Sequence, residues 1–342
     1  MYALLEKSTL NIDNWVELVG EDRVETIDIE YYTKKTSSFE KYNRMIQIAF
    51  MQKDNLFPKF KGMEFDYALY TFYHHWNDLL LYKIRAKKRI LFLHDPIPHT
   101  GESKKRLGAQ KKQAKAMDEL IVLSKSFVDT VAREYKISIE KIHYMPHGSM
   151  DHKKNTEDKF VQFKNNEKIR FLFFGRITPY KGIDTLLNAF KIVKQKTDEC
   201  DLTIAGNGDC SDILDIIEND NRINLINRYI DDAEIGELFS ETNTVVILPY
   251  KDATQSGVIP IAASYGNPVI VSNTGGLKEQ LADGKIGIFV DPNNEKKLAE
   301  AMMKVVLNRE LIEEQSKLIK EYEKSLSWDK IVDDLTSEVG MK

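Results

Sequence analysis

The chain has only two cysteines, Cys200 and Cys210, in 342 residues. That is too few for a disulfide framework or a cysteine metal site, so a reduced, cytoplasmic setting is the expectation. No apolar run is long enough to cross a bilayer, and no charged-then-apolar leader opens the sequence. No D-x-D occurs, which removes the common metal-bound clamp on a diphosphate. There is no G-x-x-x-x-G-K-S/T phosphate loop, no G-x-G-x-x-G opening a first helix, and no Cys/His set at zinc spacing. No nucleic-acid reading module is recognisable, so nucleic acid is not an expected partner. Internal repeats and low-complexity tracts are absent too.

What is present is ordinary globular material. Hydrophobic residues make up 42% and charged residues 30%, and the length suggests two domains. The net charge of −4 is unevenly spread. The region 83–115 is basic (Lys83, Arg85, Lys87, Lys88, Arg89, then Lys104 to Lys115), whereas the last part is rich in acids. Two readings of the basic stretch stand side by side. It is either a face that meets an anionic membrane or a phosphate-bearing ligand, or a solvated surface with scattered lysines.

Strands and helices alternate along the chain. In the first part, strands are expected at 2–5, 24–29, 67–71, 89–94, 119–123 and 142–145. Helices are expected at 39–51, 77–85 and 127–135, with a long basic helix before 119. Residues 151–165 are polar and aperiodic and read as a linker. Beyond them, strands are expected at 170–175, 201–205, 223–226, 244–249, 268–272 and 287–290. Helices fall between them at about 183–196, 211–219, 232–240, 257–265, 275–281 and 294–307. Six strands in strict alternation describe a doubly wound parallel sheet, in which ligands sit beyond the carboxyl ends of the strands. Residues 311–342 are helical, and Trp328 starts a separate terminal helix.

The densest chemistry lies at 171–189. A buried strand stops at Gly175, passes Arg176-Ile177-Thr178-Pro179-Tyr180-Lys181-Gly182 and opens an amphipathic helix. Glycine admits a ligand to the backbone, the helix start offers free N–H groups, and Arg176 and Lys181 supply positive charge; together they suit a phosphate. A second such place is Leu248 to Val258. Ser256 and Gly257 sit at a helix start there, and Thr254, Gln255 and Ser256 add hydrogen-bonding side chains. Two helix starts from one sheet suit a diphosphate. Gly206 ends another strand of the same sheet. The glycine turn Asn273 to Glu279 reads more simply as a tight strand-to-helix connection. In the first part, His94 and Asp95 end a buried strand in a turn stiffened by Pro96 and Pro98, where active-site groups of open α/β sheets occur. His74, His75 and His99 read as aromatic packing or surface.

FFGRITPYKGIDTLLNAF, followed by IAGNGD, INRYIDDAEIGELF and PVIVSNTGGLKE, resembles the nucleotide-sugar half of the family 4 (group 1) glycosyltransferases. The resemblance extends more loosely to LFLHDPIPH, DELIVLSKSF and IHYMPHG. It implies an α/β fold of the GT-B type, two Rossmann-like doubly wound domains facing each other across a cleft. Residues 1–150 would bind the acceptor and 151–325 the nucleotide sugar, with the terminal helix of about 326–342 returning to the first domain.

On this resemblance Arg176 and Lys181 hold the donor diphosphate and Gly175 lets it approach. Tyr229 and Ile230 flank the base, Ser256, Gly257 and Val258 offer amides to the distal phosphate and sugar, and His94 touches the sugar from the acceptor side. The family transfers with retention at the anomeric carbon and needs no metal or other cofactor. Its partners would be a nucleoside-diphosphate sugar and a glycan or lipid-linked glycan, in cell-surface polysaccharide or glycoconjugate synthesis. That chemistry fits a cytoplasmic protein peripheral on the inner face of the membrane. One departure stands out. The family's two glutamates, eight positions apart, fall on Ala253 and Ile261, with Asp252 one place before the first. A non-catalytic partner or carbohydrate-binding subunit on the same fold is therefore an alternative, as is another nucleotide-sugar enzyme such as an epimerase or phosphorylase.

Overall fold

A computed structural model describes residues 1, 3–6, 12–27, 60, 62–73, 77, 81, 84–98, 105–149, 163–165 and 167–341. The expected helix at 39–51, His74, His75, His99 and the expected domain boundary at 150/151 lie outside these residues, as does most of the expected helix at 77–85. The chain forms two compact units, Met1–Ala68 with His74–Arg89, and Leu69–Tyr73 with Ile90–Lys342.

In the first unit, β1 (Ala3–Glu6) pairs in parallel with β2 (Val24–Ile27), and α1 (Ile12–Val19) lies between them in sequence. The sequence reading missed α1, although Ile12, Val16 and Val19 make an i, i+4, i+7 stripe. That stripe closes a small core with Ala3 and Val24.

A four-stranded sheet has the order β3 (Glu64–Tyr70), β4 (Arg85–Leu93), β5 (Glu119–Val122), β6 (Ile142–Tyr144). Pairing of β4 with β5 and of β5 with β6 is parallel. β4 starts at Arg85, earlier than expected, so Lys87 and Lys88 belong to a strand. Across the sheet Arg85 meets Glu64 at 3.7 Å and Lys87 meets Asp66 at 2.8 Å, exposed pairs that accompany the early start. The helices of this part are α2 (Lys105–Lys115) and α3 (Val128–Tyr135).

The six-stranded sheet is built from β7 (Ile169–Phe174), β8 (Cys200–Ala205), β9 (Ile223–Ile226), β10 (Thr244–Leu248), β11 (Val269–Ser272) and β12 (Ile288–Val290). All its pairings are parallel, and its order is β12-β11-β10-β7-β8-β9. Numbered within the sheet this is 6-5-4-1-2-3, the doubly wound order, and its direction of winding reverses between β7 and β10. Its helices are α4 (Ile183–Lys194), α5 (Leu214–Glu218), α6 (Asp232–Ser240), α7 (Val258–Tyr265), α8 (Leu277–Gln280), α9 (Glu295–Leu307) and α10 (Arg309–Glu323). α5 is shorter than the expected 211–219.

The apolar runs of β8 and β10 are fully buried, and that of β7 is buried up to the half-buried Phe174, as expected of strands covered on both faces. The final helix, α11 (Trp328–Glu338), reaches the four-stranded sheet. Trp328 Nε1 donates to the Ser149 carbonyl at 2.8 Å, and His143 bridges Glu338 on α11 and Glu119 on β5.

Phe190 on α4 is completely buried, with the Arg222 guanidinium 5.5 Å from its ring centre. Phe190→Ala is expected to cost about 3–5 kcal/mol. Chemical denaturation would measure it, and a loss below about 1 kcal/mol would contradict the packing described.

Candidate functional site

The winding reversal leaves the loops after β7 and β10 side by side, and their sequences make them fit. Gly182 has φ 71°, and a Cβ there would overlap the Pro249 carbonyl. Only glycine permits that approach. The Lys251 amide donates to the Tyr180 carbonyl at 2.7 Å, and Lys251 Nζ reaches Asp184 at the start of α4. Lys181 Nζ lies 3.6 Å from the ring centre of the fully buried Tyr250, a cation–π contact that fixes the ammonium group. The Tyr250 hydroxyl is 3.2 Å from Ser256 Oγ, which in turn accepts from the Val258 amide. Lys181, Tyr250, Ser256 and the first turn of α7 thus form one connected unit.

Among the described residues neither Lys181 nor the exposed Arg176 has a carboxylate partner. Two hydrogen-bonding atoms in these loops, Thr178 Oγ1 and Gln255 Oε1, are buried without a partner. Buried polar atoms are normally satisfied, so two orphans in adjacent loops mark a place where a polar ligand completes the bonding. Thr254 and Ser256 are also buried, and Ser256 is clamped by Gln280 through both its amide and its carbonyl. Gly175 and Gly206 back this loop. Gly206 has φ 148°, and a Cβ on it would overlap the Gly175 carbonyl. Asp252 is half-buried in the same loop as Thr254.

The remaining expected residues fall as follows. Tyr229 is exposed just beyond β9, whereas the Ile230 side chain belongs to the core and leaves only its backbone for a ligand. His94 follows β4 and is exposed, with Nε2 2.8 Å from the Thr71 carbonyl. The Asp95 carbonyl accepts from Gln110 on α2, and the Pro96 carbonyl accepts from Tyr135 on α3, so two helices hold the turn.

Two residues at the site escaped the sequence reading. His147 is largely buried, and its Nε2 lies 3.7 Å from where a Cβ on Gly257 would stand. Burial holds its pKa below the ordinary histidine value of 6.5, the Gly148 carbonyl pulls the other way, and nearby His94 lowers it further. Glu279, in the turn read as a simple connection, accepts from Ser124 Oγ at 2.7 Å and from the Lys125 amide at 2.8 Å. It ties the region beside α7 to the end of β5. Only the IHYMPHG and GGLKE strings hinted at these two.

Two open surface pockets lie elsewhere among the described residues. One, about 300 Å³, is lined by Asn273, Asp291, Lys297 and Glu300; the other, about 410 Å³, by Lys168, Arg170, Asp201 and Arg222. Many of their charges are paired, Lys297 with Glu300, and Arg222 with Asp198 and with the Cys200 carbonyl. The loops at the winding reversal combine two cations without carboxylate partners, two buried unsatisfied oxygens and two helix starts, and this combination decides for them.

The family model for glycosyl transferases group 1 matches residues 154–325, half of the chain. An uncharacterized glycosyltransferase of Methanocaldococcus jannaschii, MJ1178, is 27% identical over 181 residues, 52% of this chain and 50% of that protein. HepE of Anabaena, solved with UDP and glucose, shares the fold at a TM-score of 0.69 and 13% identity, over 99% of this chain and 92% of its own. A trehalose-6-phosphate synthase, studied for glycosyltransfer with retention, gives a TM-score of 0.70 at 10% identity, over 99% of both chains. The chain spans 36% to 59% of the length of the first curated relatives it matches.

Because His147 resists protonation when folded, the unfolded chain takes up its proton first as the pH falls. Its contribution to stability is therefore complete above about pH 6.5 and is lost below it. Denaturation midpoints between pH 7.5 and 5.5 should fall less for His147→Gln than for the wild type; identical slopes would contradict the buried neutral imidazole.

Proposed function

We propose, from the premise that the chain belongs to the glycosyl transferases group 1 family, that it transfers a sugar from a nucleoside diphosphate to a glycan or lipid-linked glycan. Retention at the anomeric carbon and independence of metal complete the proposal, in keeping with the family 4 pattern. One observation carries it: two loops from adjacent strands at the winding reversal present unpaired cations and helix starts to the same space. HepE, solved with UDP and glucose on this fold, supports the choice of donor, and the retaining trehalose-6-phosphate synthase supports the stereochemistry.

In this reading Arg176 and Lys181, with the start of α7, face the diphosphate. As the bond from the anomeric carbon to the diphosphate oxygen breaks, the sugar becomes oxocarbenium-like and negative charge gathers on the leaving group. Fixed cations and oriented N–H groups stabilise that charge more than the ground state, which lowers the barrier. The acceptor oxygen bonds to the anomeric carbon from the face the diphosphate leaves, and its proton passes to a diphosphate oxygen. His94 meets the sugar from the side of the four-stranded sheet. The two cations and helix starts supply the compensation that a metal gives elsewhere.

Among the described residues no helix is long and apolar enough to cross a membrane. A cytoplasmic protein that meets an anionic inner leaflet through Lys112 and Lys115 of α2 fits a lipid-linked acceptor. Arg85, Lys87 and Lys111 are already paired with Glu64, Asp66 and Glu134, so the basic field of 83–115 is weaker than its residue count suggests.

The buried Ala253 and Ile261, at the places of the family's glutamates, favour a second reading: a subunit that binds a sugar nucleotide or carbohydrate without turnover.

The double variant Arg176→Ala, Lys181→Ala should lose at least about 100-fold in turnover, measured as nucleoside diphosphate released with acceptor present. Chelation by EDTA should leave the wild-type rate unchanged. Near-normal rates in the variant, or a rate abolished by EDTA, would overturn the mechanism; sugar-nucleotide binding with no turnover would establish the second reading.

A further inference from the structure

α8 is only four residues long, yet two adjacent side chains on it hold two separate parts of the chain. Leu277, at its start, is completely buried and anchors it in the core. Successive residues of a helix point about 100° apart, so Glu279 and Gln280 face different partners. Gln280 grips the loop before α7: its Oε1 accepts from the Ser256 amide at 2.7 Å, and its Nε2 donates to the Ser256 carbonyl at 3.2 Å. Glu279 grips the turn after β5. Its Oε2 accepts from Ser124 Oγ at 2.7 Å and from the Ser126 amide at 3.4 Å, and its Oε1 accepts from the Lys125 amide at 2.8 Å.

A turn that leads into a helix is ordinarily capped by its own first residue. Ser124 stands at that place and makes no capping bond. It gives its hydroxyl proton to Glu279 instead, and its free lone pair takes the Ser126 hydroxyl at 2.7 Å. The cap of this turn thus comes from 155 positions away, on the helix that also grips Ser256. Tyr144 on β6 turns its hydroxyl to the same carboxylate; burial, and then Glu279, hold its phenol above the ordinary tyrosine value. The Lys125 ammonium group lies 5.2 Å from the Tyr144 ring centre, which packs the turn on the sheet.

Resting on the transfer reading above, we infer that Glu279 is a positioning residue through which a sugar nucleotide bound at the Ser256 loop tightens the turn at Ser124–Ser126. Ordering of Ser256 passes to Gln280, from there to its neighbour Glu279, and so to the end of β5. β5 pairs with β4 up to Leu93 and Val122, so the tightened turn stands beside the strand end that carries His94. Glu279 touches no ligand itself. The coupling is reciprocal: the factor by which the ligand favours the closed turn is the factor by which the closed turn favours the ligand.

Hydrogen exchange at the Lys125 and Ser126 amides tests the coupling without any glycan acceptor. UDP-glucose and GDP-mannose serve as probes, and the one that raises the wild-type melting temperature is used at saturation. It should slow both amides about fivefold in the wild type. In Glu279→Ala both should exchange at one rate with or without the probe, and titration calorimetry should find the probe bound about fivefold more weakly. Gln280→Ala keeps the Glu279 contacts and cuts the link to Ser256. Its unligated exchange should match the wild type, while the slowing by saturating probe disappears; a cap with a merely structural role would not separate the two. Unligated melting temperatures establish that both variants fold. No slowing in the wild type, slowing that survives either substitution, or unchanged affinity in Glu279→Ala would overturn the coupling while leaving the transfer reading in place. If neither probe stabilises the wild type, the transfer reading fails and the coupling falls with it.

Discussion

The whole arrangement depends on the reversal of winding between β7 and β10. Strands before and after it send their helices to opposite faces of the sheet, so the two loops at the reversal are not covered by a crossover and remain open. Every other feature of the site elaborates this opening. Gly182 lets the two loops touch, the Tyr250 ring fixes the Lys181 ammonium, and the Tyr250 hydroxyl passes that order to Ser256 and the first turn of α7. The site is organised before any ligand arrives, which is the condition for electrostatic stabilisation without reorganisation.

Charge pairing is incomplete at this opening. Most lysines and arginines with close partners are neutralised by carboxylates or carbonyls, as Arg222 and Arg228 are. Arg176 and Lys181 are not. A cation held by an aromatic ring rather than a carboxylate keeps its full attraction for an incoming anion. The unsatisfied Thr178 and Gln255 oxygens in the same loops add hydrogen-bonding demand to the charge.

Much of the six-stranded sheet was legible in the sequence because parallel strands buried on both faces read as unbroken apolar runs, and their ends fell within a residue or two of expectation. The loops with Arg176, Lys181, Ser256 and Gly257 were legible for a related reason: glycine, cation and helix start are local features. Long-range juxtaposition was not. His147 reaches α7 from more than a hundred positions away, and Glu279 reaches Ser124 from 155 away, so no spacing could bring either pair together. The early start of β4 was hidden because its first residues are polar, and Arg85 and Lys87 find acids on β3 only across the sheet. The short α1 was readable from its stripe and was overlooked beside the strand signals around it.

The most direct measurement is a crystal structure of the protein with a bound sugar nucleotide. The account predicts that the diphosphate spans the space between the Gly175–Lys181 loop and the start of α7 and contacts both Arg176 and Lys181. A diphosphate seated in the Lys168–Arg222 cavity, or anywhere else with these loops vacant, would contradict it.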